Sequence, residues 1–309
     1  MAPEQDHNRP LVLLTGATGY VGARLLPLLE RQPIRLRCLA RNAEKLRSQI
    51  QGDVEVVTGD VLDAASLKQA LDGVHTAYYL VHLMSSSADF QRDDRQAATN
   101  FAQAAHHAGV SRIIYLGGLG DDRDPELSPH LRSRHEVGEI LRDSGVETIE
   151  FRASMVIGAG SLSYELMKSL TERLPVMICP RWVSVRTQPI AIDDVLAYLL
   201  AARDFAGKGS MIFEVGGSNV VRYLDMIREY ARQRGLHRWL ISVPLLTPYL
   251  SGLWLALVTP ASYEVGRHLI EGLKNPTVVQ DTTALKVFSI RPVDSKEAIA
   301  KALSGEEGH

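Results

Sequence analysis

Three glycines three residues apart, Gly16, Gly19 and Gly22, stand in the run Thr15-Gly-Ala-Thr-Gly-Tyr-Val-Gly22, directly after the apolar segment Leu11–Leu14. Between a strand and a helix, such a run suits a phosphate cradle. One glycine permits the tight turn, one lets backbone N–H groups approach a pyrophosphate, and one lets the new helix pack closely on the sheet. The helix then presents open N–H donors and a favourable dipole to the anion. No Gly-Lys-Ser/Thr follows, which argues against a Walker-type site. A dinucleotide held by Thr15, Gly16, Thr18, Gly19, Tyr20, Val21 and Gly22 is the expectation.

At the end of the second strand a carboxylate would bind the ribose hydroxyls of NAD. The chain instead reads Leu39-Ala-Arg-Asn42, with Lys45 one turn later. Arg41 offers a planar fork for a 2′-phosphate and can stack on adenine, so NADP(H) is expected over NAD(H). No metal site is expected. His106 and His107 are adjacent on a helix, where side chains point about 100° apart, and Asp121-Asp-Arg-Asp124 reads as a polar loop after a strand.

The elements that must position these groups follow a βαβ rhythm. Short runs rich in β-branched residues, Leu11–Leu14, Ile34–Leu39, Val54–Val57, Ala77–Val81, Ile113–Leu116 and Thr148–Phe151, predict strands. Between them Tyr20–Arg31, Ala43–Gln51, Ala64–Leu71, Arg92–Ala108 and Leu131–Ser144 predict crossover helices. Such alternation makes a mostly parallel sheet with helices on both faces, a doubly wound Rossmann fold in the α/β class. After Phe151 the rhythm loosens into helices at Tyr164–Arg173, Asp193–Arg203 and Arg222–Gly235, a strand at Met211–Val215, and a proline-bracketed stretch from Pro175 to Pro189. We therefore expect a nucleotide-binding domain over 10–151 and a smaller substrate lobe over 152–309 with elements returning to the sheet.

Composition limits the alternatives. The 34 Lys and Arg against 36 Asp and Glu leave a net charge of −2, so no electrostatic footprint for nucleic acid is present. A hydrophobic share of 45% with 23% charged residues describes an ordinary globular chain of 309 residues rather than a disordered or polytopic membrane protein. The two cysteines, Cys38 and Cys179, form no C-x-x-C pattern, and the start Met1–Pro10 is polar. Both fit a cytoplasmic protein. Pro244–Tyr263 contains no charged residue but three prolines. It is open to three readings: buried lobe core, the wall of an apolar pocket, or membrane contact, the last disfavoured by the prolines.

The glycine run resembles the T-G-x-x-G-x-x-G loop of the extended and atypical branches of the short-chain dehydrogenase/reductase superfamily. Gly59-Asp-Val61 resembles the segment whose Asp approaches adenine. Tyr79-Leu-Val-His82 matches the strand end beside the nicotinamide ribose, Phe151-Arg-Ala-Ser-Met-Val-Ile-Gly158 the strand and turn beneath the nicotinamide, and Gln188-Pro-Ile-Ala-Ile-Asp-Asp-Val195 a later element of extended members. The resemblance covers most of residues 10–220 and implies cofactor contacts from Asp60, Val61 and Val81.

The catalytic pattern departs from that family. Its Ser/Thr after the fifth strand is replaced by Leu116-Gly-Gly-Leu-Gly120, and aligning Ser133-Arg134 puts His130 and Arg134 where the Tyr-x-x-x-Lys pair belongs. The sequence is thus similar to atypical NAD(P)H-binding proteins that lack the pair, and to the nucleotide-binding accessory subunit of respiratory complex I. His130 and His82 become candidate proton donors, and Arg134 a candidate for the ribose or a developing oxyanion. By the same resemblance Ser154, Tyr164, Arg181, Trp182 and Gln188 face a small-molecule substrate. The expected function is NADP(H)-dependent hydride transfer to an apolar carbonyl, enone or quinone. The alternative is a binding protein that senses NADP(H) or assists assembly without turnover. The sequence leaves the oligomeric state open.

Overall fold

The computed structural model describes residues 9–83, 89–242 and 272–307. Its centre is a seven-stranded sheet built from β1 (Leu11–Thr15), β2 (Arg35–Ala40), β3 (Val54–Thr58), β4 (Thr76–Tyr79), β5 (Arg112–Gly118), β6 (Glu147–Ala153) and β11 (Met211–Val215). The order is β11-β6-β5-β4-β1-β2-β3, and every pairing is parallel. The fold is a Rossmann α/β fold. Two strands, β2 and β3, lie on one side of β1 and four on the other, so the carboxyl ends of β1 and β4 border the crevice where such sheets bind ligands. Thr15 stands opposite Tyr79 on one side and Leu39 on the other, and its hydroxyl donates to the Tyr78 carbonyl at 2.9 Å.

Burial on both sheet faces explains the apolar strands. On one face α1 (Tyr20–Glu30) and α7 (Ile192–Arg203) set Leu25, Leu29 and Leu199 against Leu14, Ile149 and Phe213. On the other, α3 (Ala64–Leu71), α4 (Phe90–His107) and α5 (Pro129–Arg142) set Leu67, Phe101 and Val137 against Leu13 and Ile113. Both Tyr78 and Tyr79 are core residues.

Local chemistry fixes the helix starts. Asn42 caps α2 (Ala43–Arg47), Asp63 caps α3, and Ser128, followed by Pro129, caps α5, each through a side-chain oxygen accepting a backbone N–H. Helix α1 starts on Gly19, which has no side chain to offer. Helix α2 ends at Arg47, short of the Gln51 read from the sequence, because the Ser48 hydroxyl turns back to the Lys45 carbonyl at 2.8 Å.

Beyond β6, outside the large sheet, lie β7 (Val156–Ile157), α6 (Leu162–Arg173), β8 (Val176–Cys179), β9 (Arg186–Thr187), β10 (Ile190–Ala191), β12 (Val221–Arg222), α8 (Tyr223–Gln233) and β13 (Trp239–Ser242). Two further helices, α9 (Thr283–Phe288) and α10 (Ser295–Glu307), follow. A third core joins α6, α8 and α10 around Tyr164, Met167, Ile227, Tyr230 and Ile299. The uncharged stretch Pro244–Tyr263 lies outside the described residues. No helix among the described residues is long and apolar enough to cross a membrane.

Candidate active site

The glycine loop owes its shape to close backbone approaches. Gly16 has φ of +72°, and a Cβ there would sit 2.5 Å from the Leu80 carbonyl oxygen. The Gly19 N–H returns to the Gly16 carbonyl at 2.9 Å, so the loop doubles back before α1 begins. The first N–H groups of α1 have no partner within the helix and no side-chain cap. Donors at a bare helix end behind a glycine turn form a cradle suited to an anion.

Beside this cradle lies a cavity of about 460 Å³. It is lined by Gly19–Gly22, by Leu80 and His82 beyond β4, by Leu116–Leu119 and Ala153–Val156, and by Ser161–Ser163, Thr187, Leu273 and Thr277. From α5, His130, Leu131 and Arg134 enter the same space.

Arg134 is 8% exposed. Its guanidinium donates to the Leu116 carbonyl and, at 3.4 Å, to the Val81 carbonyl, and lies 4.8 Å from the centre of the Tyr115 ring. It therefore ties the ends of β4 and β5 to α5 while keeping a positive charge at the cavity. His130, one turn earlier, brings its ring centre to 5.1 Å from that of His82. His82 Nδ1 lies 3.0 Å from the Asp94 carboxylate. Burial pushes the His82 imidazole below its ordinary value, and the Arg134 charge adds to this, although the Asp94 hydrogen bond and charge pull the other way. Burial would raise the Asp94 carboxyl. The hydrogen bond from His82, the positive charges of His82 and Arg134, and the Leu83 N–H outweigh it and hold the group below the usual carboxylate range.

Arg41 follows β2 as an exposed residue, and Asn42 caps α2 just beyond it. After β3, the Asp60 carboxylate accepts the Leu62 N–H at 3.0 Å while Val61 is buried. These residues and Val81 follow the carboxyl ends of β2, β3 and β4, on the same sheet edge as the glycine loop.

Ser154 lines the cavity, and its hydroxyl forms a triangle with those of Thr187 and Thr277, with sides of 2.8, 2.8 and 2.9 Å. Three other residues expected to face substrate lie elsewhere. Tyr164 is fully buried against Tyr230 in the third core. The Trp182 ring packs on Tyr223, 5.7 Å between centres, away from the cavity. Gln188 is spent on backbone, donating to the Gly217 carbonyl at 2.7 Å and accepting the Val279 N–H at 3.1 Å. Arg181 opens a short 3-10 turn over Arg181–Ser184.

Sequence reasoning missed Asp94, Thr187 and Thr277. A signal for Asp94 was present, since Ala97, Ala98 and Phe101 follow it at helical spacing and place a carboxylate on an apolar stripe. Among the described residues no group of three or more His, Cys, Asp or Glu could hold a metal ion. Asp121 pairs with Arg123, Asp122 with Arg152 and Asp124 with Asn275.

Residues 16–170 match the family model described as NAD(P)H-binding, which spans half of the chain. The chain belongs to the NAD(P)H-binding family. It is 26% identical over 266 residues to the ceramide reductase of Caulobacter vibrioides, covering 84% of this chain and 83% of that protein. To the photosystem II assembly factor Ycf39 of Cyanophora paradoxa it is 20% identical over 269 residues, covering 85% of this chain and 79% of that protein. The crystal structure of an NADPH-dependent quinone oxidoreductase from Escherichia coli, complexed with NADPH, superposes with a TM-score of 0.75 at 20% identity, covering 94% of this chain and 98% of that one. At that identity the superposition shows the shared fold.

Proposed function

We propose that this protein is an NADP(H)-dependent oxidoreductase of the atypical short-chain type, which moves hydride between the nicotinamide and a small or medium apolar carbonyl, enone or quinone. One observation carries the reading: the phosphate cradle and a largely apolar cavity are continuous, and His82, His130 and Arg134 stand in that cavity beside Ser154. The bare N-terminus of α1 and the glycine turn before it fit a pyrophosphate. Thr15, Gly16, Thr18, Gly19, Tyr20, Val21 and Gly22 would hold it, Arg41 the 2′-phosphate, Asp60 and Val61 the adenine side, and Val81 and Arg134 the nicotinamide ribose. When bound, the cofactor supplies the hydride. The residues of the chain bind, exclude water and manage the proton.

The apolar walls at Leu80, Leu116, Leu119, Leu131 and Met155 support an apolar acceptor, as does the similarity to a ceramide reductase. Calorimetric titration with NADPH and NADH tests the cofactor, and NADPH oxidation against a panel of carbonyls, enones and quinones tests the reaction. Tighter NADPH binding with acceptor reduction supports the proposal. Absence of dinucleotide binding removes it. A second reading, a binding protein without turnover, draws on the missing Tyr-x-x-x-Lys pair and the similarity to an assembly factor. Binding without turnover would favour it.

A further inference from the structure

We propose that His82, oriented by Asp94, is the residue that gives and takes the proton at an oxygen atom bound in the cavity. The inference rests on the oxidoreductase reading above and assigns the acid–base chemistry within it. His82 would be the catalytic residue, and Asp94 a positioning residue acting through it.

Asp94 is a carboxylate 2% exposed on the inner stripe of α4. A carboxylate so placed is costly unless donors converge on it. Here they do. Oδ1 accepts the Leu83 N–H at 3.0 Å, while Oδ2 faces His82 Nδ1 at 3.0 Å and accepts the Ser133 hydroxyl at 3.1 Å. The donors come from the segment after β4 and from α5, so the carboxylate joins two elements around one imidazole. An ionised carboxylate only accepts, so Nδ1 must carry the hydrogen, and Nε2 of the neutral ring is left as an acceptor. Nε2 is buried and has no hydrogen-bond partner among the described residues. Buried polar atoms are rarely left so, and this one belongs to a ring that lines the cavity, where a bound oxygen would complete it once the ring turns toward it.

The charged and titratable groups facing the ring are Asp94 from α4 and His130 and Arg134 from α5. Asp94 favours the imidazolium, whereas Arg134 and burial disfavour it. In reduction, the hydride with its electron pair adds to the carbonyl carbon, the π pair moves onto oxygen, and that oxygen takes the proton from Nε2. The ring is left neutral with its Nδ1–H on Asp94 and regains a proton from water. In oxidation, neutral Nε2 takes the hydroxyl proton as the hydride leaves the carbon for the oxidised nicotinamide.

The first test needs neither cofactor nor acceptor. Nitrogen-15 NMR of the imidazoles, with His82→Gln used to assign the signal, reads the tautomer and titration midpoint of His82 in the full chain. We expect hydrogen on Nδ1 in the unaltered protein and a lower midpoint in Asp94→Asn, which keeps an oxygen for the Leu83 N–H but loses the charge. Hydrogen on Nε2, or an unchanged midpoint in Asp94→Asn, overturns the proposal.

The second test uses NADPH and the fastest acceptor from a panel of aldehydes, ketones and enones. His82→Gln should lower kcat about a hundredfold with NADPH affinity unchanged. Asp94→Asn should move the pH at which reduction declines toward acid, as a merely structural change would not. Wild-type kcat in His82→Gln overturns the role of His82 and leaves the oxidoreductase reading intact. No reduction of any acceptor by the unaltered protein overturns that reading and the catalytic role together. The NMR tautomer then separates this failure from a misplaced ring.

Discussion

Gly16→Ala tests the cradle at its tightest point. The residue holds φ of +72°, a conformation that costs an L side chain roughly 1–2 kcal/mol. The added methyl would also meet backbone, lying 2.5 Å from the Leu80 carbonyl oxygen and 2.8 Å from its carbon, whereas real contacts of this kind do not fall below 3.0 Å. The end of β4 and the loop must therefore part by about half an ångström, an overpacking strain of about 1–3 kcal/mol. Together these predict a loss of about 2–5 kcal/mol, to be read from chemical unfolding midpoints. Because the loop carries the N-terminus of α1, NADPH affinity should fall at least about tenfold, since a 1.4 kcal/mol loss already gives that factor. Thermal melts with and without NADPH read both effects, as a ligand present at about a hundred times its Kd adds about 2.7 kcal/mol of stability. A Gly16→Ala protein with the wild-type Tm and the wild-type NADPH increment would refute the account of the loop.

Three further outcomes are expected. Arg41→Ala should weaken NADPH binding about tenfold or more, the worth of a charge-assisted hydrogen bond to phosphate, while NADH binding stays level; equal losses for both cofactors in calorimetry would remove Arg41 from the 2′-phosphate. Glu150 is fully buried between Arg142 and Arg152, with Arg152 Nε donating at 2.8 Å. Glu150→Gln should therefore cost about 3–5 kcal/mol in urea unfolding by leaving two cations poorly compensated, and a cost below about 1 kcal/mol would contradict the network. Burial first, and the Arg152 charge second, hold His135 below its ordinary value of 6.5 despite Asp122. The unfolded chain then takes the proton first, so this contribution is whole above pH 6.5 and is lost as pH falls below it. His82 acts in the same sense. Melting between pH 5 and 8 should show a shallower acid-side decline in His135→Gln, and an identical slope would exclude His135 as a source.

What could be read without the structure was local. The glycine loop, the missing carboxylate after β2 and the four-residue spacing of His130 and Arg134 depend on turn chemistry and helical period, and the fold places the last two in one cavity. The lobe residues were not readable in this way. Whether a side chain there faces the cavity or the core depends on its neighbours in space, as Gln188 illustrates by bridging Gly217 and Val279. Thr277 joins Ser154 across 123 positions, a pairing that no local pattern encodes. Tyr164 sits on α6 as predicted, yet on the face that packs against α8.

Hydride transfer itself is the central claim, and deuterium tests it most directly. With NADPH carrying deuterium at the nicotinamide C4 position and the panel of aldehydes, ketones and enones, whose products keep a transferred hydride on carbon, mass spectrometry reads whether the label crosses. The account predicts deuterium on the carbon of a reduced apolar acceptor, at a rate that falls in His82→Gln. Firm NADPH binding with no label in any product would contradict it and identify the protein as a reader of the cofactor.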